Sequence, residues 1–267
     1  MKHAFFIWSG KIEEDDFFHT CLKSLQSVSD CQITIYTPEL TTGEKLLNSM
    51  NINLVRFDEK DWTNRRLICK AEKAREFLYT LNDGDQLITL DGDMYMVSDP
   101  FGVFENKFDY FYTTREHPTF PANGGCWGLV CNKNSKDFMD IWVGNLNKPT
   151  WEPYIKLREN HPHEPGVDYN GDWWVEQDFM CSIHQYKDEI NQGLLDIKLK
   201  VYDAKNVYNY IITGKTDDEI LEEIDNQKAK VLHFKSSTMS RWVNNHTDDR
   251  MDSRQVRLNQ LIEKLEI

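Results

Sequence analysis

Between residues 1 and 90 the chain alternates short apolar runs with amphipathic stretches, and few folds accept that rhythm. His3 to Trp8 is an apolar run of strand length, closed by Ser9-Gly10 as a turn. Asp15 to Val28 sets Phe18, Leu22 and Leu25 on one helical face. Gln32 to Thr37 alternates in strand fashion and stops at Pro38, Thr42 to Met50 is a short helix, and Ile52 to Phe57 is a third strand. Asp61 to Leu81 is the clearest helix, with Leu67, Ala71, Ala74 and Leu78 along one stripe and Asn82-Asp83-Gly84-Asp85 ending it. Gln86 to Leu90 then runs into Asp91-Gly92-Asp93. The alternation predicts an α/β fold on a mixed, mostly parallel sheet flanked by helices. Such sheets bind ligands beyond the carboxyl ends of their strands. Trp8-Ser9, Phe57-Asp58 and Asp91-Gly92-Asp93 are therefore expected along one edge.

The second half is less regular. Tyr110 to Thr114 reads as a strand, and Asn123-Gly124-Gly125-Cys126-Trp127-Gly128 as a glycine-rich turn entering a strand from Leu129 to Cys131. Ser135 is expected to cap a helix with Phe138, Ile141 and Trp142 facing inward. Residues 148–174 are rich in proline and aromatics, including Trp151, Tyr154, Trp173 and Trp174, and read as a functional loop region. His161, His163 and Glu164 sit among prolines there and read as loop rather than as ligands. Thr216 with Glu219 forms a capping box ahead of Ile220, Leu221 and Ile224. Val231 to Phe234 is a short strand, and 250–265 is an amphipathic helix using Leu258, Leu261, Ile262 and Leu265.

Charge narrows the partners. Asp plus Glu number 44 against 31 Lys plus Arg, a formal −13. That balance disfavours charge-driven binding to nucleic acid or anionic membrane, so a nucleic-acid acceptor is not expected. Six cysteines lie in no Cys-x-x-Cys pair and read as free thiols of a reducing cytoplasm. No stretch approaches the ~20 apolar residues of a membrane span.

Asp91-Gly92-Asp93 is the sharpest local feature. Two hard oxygen donors two residues apart can hold a divalent cation that bridges a diphosphate. Asp and Gly are also turn residues, so a surface turn is the rival reading. Leu87-Ile88-Thr89-Leu90 before the motif and Met94-Tyr95-Met96-Val97 after it weigh against a solvated hairpin tip.

The segment from Leu87 through Asp91-Gly92-Asp93 to Ser98-Asp99-Pro100-Phe101 resembles the DxD region of GT-A-fold glycosyltransferases. It is most similar to the family 8 group of glycogenin and bacterial galactosyltransferases. Asn123 to Gly128 resembles the small-residue segment under the donor sugar. Glu176-Gln177-Asp178-Phe179-Met180 resembles the D-Q-D segment, and His233-Phe234-Lys235-Ser236 with Arg241-Trp242 resembles the terminal H-F-x-G-x-x-K-P-W. The segments come in the family's order over roughly residues 1–245. Departures exist: Glu176 replaces an Asp, Ser236 replaces Gly, and Arg241 comes one residue late without a following Pro.

The resemblance implies a GT-A, Rossmann-like single domain. Residues 1–100 would be the nucleotide-sugar-binding half, 101–245 the acceptor and catalytic half, and 246–267 the C-terminal helix. It implies a metal-dependent glycosyltransferase taking a sugar from a nucleotide-sugar, a UDP-sugar, to a glycan or other hydroxyl. Asp91, Asp93 and His233 would hold Mn²⁺ or Mg²⁺. Trp8, Ser9, Asp58, Lys70, Arg75, Gly92, Asn123, Gly124, Gly125, Lys235 and Arg241 would line the donor. Asp178 would stand beside the anomeric carbon with Glu176 as its rival, and Gln177 would hydrogen-bond the donor sugar. Two other classes share parts of this pattern, a DxD phosphohydrolase and a carbohydrate-binding module. In the phosphohydrolase the motif usually follows the first strand, whereas here it follows the fourth.

Overall fold

The computed structural model describes residues 1–8, 16–38, 50–58, 60, 66–117, 120–160, 175–212, 214–234 and 250–265. The main sheet uses β1 (Lys2–Ile7), β2 (Gln32–Thr37), β3 (Asn53–Arg56), β4 (Gln86–Leu90), β6 (Tyr110–Thr114), β7 (Ala122–Val130) and β8 (Val201–Asp203). Their spatial order is β3-β2-β1-β4-β7-β6-β8. Neighbouring strands from β3 to β4 are parallel, β7 runs against both β4 and β6, and β8 is parallel to β6. A second sheet joins β5 (Met94–Met96), β10 (Val231–His233) and β9 (Tyr210–Ile211) in that order.

Alternation along β1 shows how the layers form. Ala4 and Phe6 face one side, where Phe18, Leu22 and Leu25 of helix α1 (Asp16–Val28) cover them. Phe5 faces the other, against Ala71, Ala74 and Leu78 of α2 (Arg66–Leu78). That second layer continues through α3 (Lys133–Asn147), α4 (Glu152–Asn160) and α5 (Val175–Gln185), where Trp142, Tyr154 and Phe179 are fully buried. The small sheet packs Tyr95 and Leu232 against Phe17 of α1. Ile220 of α7 (Asp217–Asp225) and Leu258 and Leu261 of α8 (Arg250–Leu265) complete that cluster; the short α6 (Lys187–Asn191) follows α5. Among the described residues, no helix is long and apolar enough to cross a membrane.

Two expectations need correction. The glycine segment 123–128 is not a turn: it lies within β7, a continuous strand of nine residues. Its glycines serve close approach rather than chain reversal, since a methyl on Gly128 would stand 2.3 Å from Leu87 O of the neighbouring strand. Helix α3 is capped by Asn132 and not by Ser135. Asn132 Oδ1 accepts from Ser135 N while Ser135 Oγ accepts from Asn132 N, so Ser135 closes the box from the third position. The Thr216–Glu219 box is found as expected. Helix α4 falls inside the presumed loop region, while 42–49, 61–65 and 161–174 lie outside the described residues. Strands β8 and β9 span three and two residues, too few for any periodicity to show.

Two glycines with opposite surroundings test this packing. Gly128→Ala should destabilise the fold by about 1–3 kcal/mol or more, because the clash is with backbone and neither strand can yield. Gly144→Ala in α3 meets nothing within 4 Å and should stabilise by about 0.5–1 kcal/mol. Urea unfolding of both variants reads the two signs.

Candidate metal and donor site

The site grows from an irregularity in β7. Tyr112 of β6 pairs with Trp127, but the next residue, Thr113, pairs with Asn123. Gly124, Gly125 and Cys126 are therefore extra on β7 and bulge out of the ladder. Asn123 Oδ1 accepts from Gly125 N at 3.0 Å, which pins the bulge. Its carbonyls then serve neighbours outside the β6 ladder. Gly125 O accepts from Asp91 N at 2.9 Å, Gly124 O accepts from Lys70 Nζ at 2.8 Å, and Cys126 O accepts from Thr113 Oγ1 at 2.9 Å.

Asp91 leaves the end of β4 on that support. Asp91, Asp93 and His233 bring one ligand atom each to within 4.8 Å of one another. His233 Nε2 lies 3.1 Å from Asp93 Oδ1 and 3.9 Å from Asp91 Oδ2. His233 ends β10, and the backbone locks it there: Phe234 N donates to Asp93 O at 2.9 Å. Gly125 makes room for the ring, since a methyl on Gly125 would come within 2.7 Å of His233 Cε1. The other ring nitrogen, Nδ1, is 2.7 Å from Asn209 Oδ1. Gly92 is equally tight, with a methyl there meeting the Trp8 ring at 2.4 Å. Trp8 stacks on Phe18 at 4.2 Å and so floors the DxD loop.

Lys70 is buried, yet its ammonium donates to Asp91 Oδ1 at 2.7 Å. Burial opposes that charge, but Asp91 and Glu176 beside it outweigh burial and hold its pKa above the ordinary value. Glu176 is 2% exposed, and burial pushes its carboxyl up to about 7 despite the pull of Lys70. Trp127 lends it some support, yet neither Trp127 Nε1 nor Glu176 Oε1 reaches hydrogen-bond geometry. A methyl on Gly124 would touch Glu176 Oε2 at 3.3 Å. The carboxylate of α5 that borders the cluster is thus that of Glu176. Asp178 stands two residues on, on another face of the helix, 4.0 Å from Arg158 Nε. Burial also lifts Asp178 to about 7, with Arg158 opposing. Gln177 Nε2 donates to Ala122 O at the start of β7.

Of the expected site residues, the structure gathers Trp8, Lys70, Gly92, Asn123, Gly124, Gly125 and Glu176 around Asp91, Asp93 and His233. Arg75 is not among them. It reaches Asp140 of α3 at 3.6 Å, one turn and more along α2 from Lys70. Asp58 is exposed at the end of β3, accepting from Lys60 N. Ser9, Trp173, Trp174, Lys235 and Arg241 lie outside the described residues, as do His161, His163 and Glu164. Sequence reading missed Asn209 and Thr113. Neither sits in a motif, and only the pairing of β9 with β10 and the bulge beside β6 brings them to His233.

No family model and no curated protein matches the sequence. Solved structures resemble its fold. Mouse xyloside xylosyltransferase 1, in its apo form, superposes with a TM-score of 0.57 at 12% identity, covering 89% of this chain and 99% of that one. The galactosyltransferase LgtC, solved with donor and acceptor sugar analogs, gives 0.50 at 11% identity, covering 87% and 86%. The chain has the GT-A fold that these transferases share, as its ordered motifs lead one to expect.

Glu176 carries a testable pH signature. Its pKa is raised on folding, so the native state binds the extra proton between 4.5 and about 7. Stability from this group is full below the unfolded pKa and is lost as pH rises through about 7. Glu176→Gln should therefore gain on the wild type by about 1–3 kcal/mol between pH 5 and pH 8. Metal-free protein melted across that range in chelator reads the difference, and a constant offset would refute it.

Proposed function

We propose that the chain is a metal-dependent glycosyltransferase that moves a sugar from a UDP-sugar to an acceptor hydroxyl. One observation carries this: two carboxylates and an imidazole converge within 4.8 Å at the carboxyl end of a central strand. The donor set fits a divalent ion. Asp91 spends Oδ1 on Lys70 and turns Oδ2 toward His233, Asp93 turns Oδ1 the same way, and His233 adds a borderline nitrogen. Two hard oxygens with one imidazole suit Mn²⁺ at least as well as Mg²⁺. Such an ion supplies charge neutralisation of the donor diphosphate as the glycosidic bond breaks.

The chain's own groups do the rest. Lys70 holds Asp91 in a fixed rotamer and offsets the negative charge of the cluster. Gly124 and Gly125 leave room against the bulge, and Trp8 walls the loop from below. Glu176 takes up its proton near neutral pH beside Gly124 and is suited to hydrogen-bond the donor sugar near the reacting carbon. Asp178 and Gln177, on the same helix, remain candidates for contact with the acceptor side. Lys235 and Arg241 would neutralise the leaving diphosphate. On this reading residues 1–100 form the donor half and 101–245 the acceptor half. Xylosyl and galactosyl transfer by the structural neighbours supports sugar transfer to a glycan.

Thermal melting with UDP, GDP and other nucleotides, with and without Mn²⁺, tests the reading. A nucleotide at one hundred times its dissociation constant adds about 2.7 kcal/mol of stability. The expected result is a rise in Tm with UDP that needs Mn²⁺ and vanishes in Asp91→Ala, together with loss of donor hydrolysis. No shift with any nucleotide, or unchanged hydrolysis in the variant, would sink it.

A further inference from the structure

We infer that Asn209 is a positioning residue that keeps a proton on His233 Nδ1 and so reserves Nε2 for a cation. The inference rests on the metal reading of the Asp91–Asp93–His233 cluster for its purpose, but not for its geometry.

The chain of donors begins at β7. Thr113 Oγ1 lies 2.9 Å from Cys126 O and 3.3 Å from Asn123 O. Both carbonyls only accept, and a threonine hydroxyl has one hydrogen, so that hydrogen is committed to the bulge. Thr113 can therefore show Asn209 only a lone pair. The Asn209 atom 2.8 Å from it must be the amide nitrogen, which places Oδ1 on the opposite branch, toward His233. Oδ1 only accepts, so His233 Nδ1, at 2.7 Å, must carry a hydrogen. That leaves Nε2, which faces Asp93 Oδ1 at 3.1 Å, as the nitrogen whose lone pair is open to a metal.

The surroundings leave little slack. Asn209 is fully buried and His233 is 1% exposed. Pairing of Leu232 with Tyr210 and of His233 with Ile211 sets Asn209, the residue before β9, alongside the ring. Gly125 lies close against the ring, where a methyl would come within 2.7 Å of Cε1 and 3.0 Å of Nδ1. Asn209 thus transmits the hydrogen-bond polarity of a bulged strand in one sheet to a histidine in the other.

Long-range ¹H–¹⁵N NMR of ¹⁵N-histidine-labelled apoprotein tests this directly, with His233→Ala supplying the assignment. The expected spectrum shows His233 protonated at Nδ1; a wild-type ring with hydrogen on Nε2 alone would overturn the inference. Mn²⁺ binding, read by the EPR signal of the free ion, gives the second arm. Asn209→Ala should mix the tautomers and weaken Mn²⁺ by about 10–100-fold, and Thr113→Val should weaken it in the same direction. Asn209→Asp, which still accepts from Nδ1–H, should bind better than Asn209→Ala. Folded Asn209→Ala that keeps the Nδ1–H spectrum and wild-type Mn²⁺ affinity would overturn the inference. If Asn209→Ala fails to fold, the wild-type spectrum and Asn209→Asp decide. A wild type that is Nδ1-protonated yet binds no Mn²⁺ supports the positioning and overturns the metal reading alone.

Discussion

Three backbone carbonyls on one bulge organise this site. Gly124 O, Gly125 O and Cys126 O hold Lys70, the Asp91 amide and Thr113 respectively. A regular strand would spend its carbonyls on its two neighbours. By skipping three residues against β6, β7 leaves Gly124 O for Lys70 of α2 and Cys126 O for the Thr113 side chain, while Gly125 O carries the pairing with β4 one residue further, to Asp91. Two of the groups they hold then fix further ones: Lys70 fixes Asp91, and Thr113 fixes Asn209 and through it His233. The glycines are required because His233, Met94 and Glu176 crowd the bulge from its open side.

Much of the electrostatics follows from depth. A buried ammonium is tolerated only with a close counter-charge, and Lys70 has Asp91 in contact and Glu176 nearby. Glu176 meets the same low-dielectric surroundings with weaker compensation, so its proton is retained far above the usual carboxylate range.

The legible parts of the sequence were those with a period or a fixed local chemistry. The strands up to Leu90 with helices α1 and α2 between them, the DxD loop and the Thr216 box are of that kind. His233 was legible through its motif. The glycine segment was misread because glycine marks both turns and close approaches, and only the neighbouring Leu87 carbonyl tells them apart. Glu176, expected only as the rival of Asp178, is the carboxylate of α5 that borders the cluster. Two residues on a helix point to different sides, and the phase of α5 is set by Phe179 and Met180 entering the core. Arg75 was expected at the donor through the resemblance but lies on the part of α2 that faces α3. Asn209 carried no local signal, because its importance comes from a parallel pairing of two-residue and three-residue strands.

The cluster also spans two sheets. Asp91 belongs to the end of the large one, while His233 closes the small one, and Phe234 just beyond it packs with Phe17, Leu258 and Leu261. Any ligand gripping both sides is therefore a mechanical rivet between the front of the chain and its C-terminal helix. The local opening of that helix and the occupancy of the site become coupled, so loading the centre would slow hydrogen exchange in a helix that lies outside the Asp91–Asp93–His233 cluster.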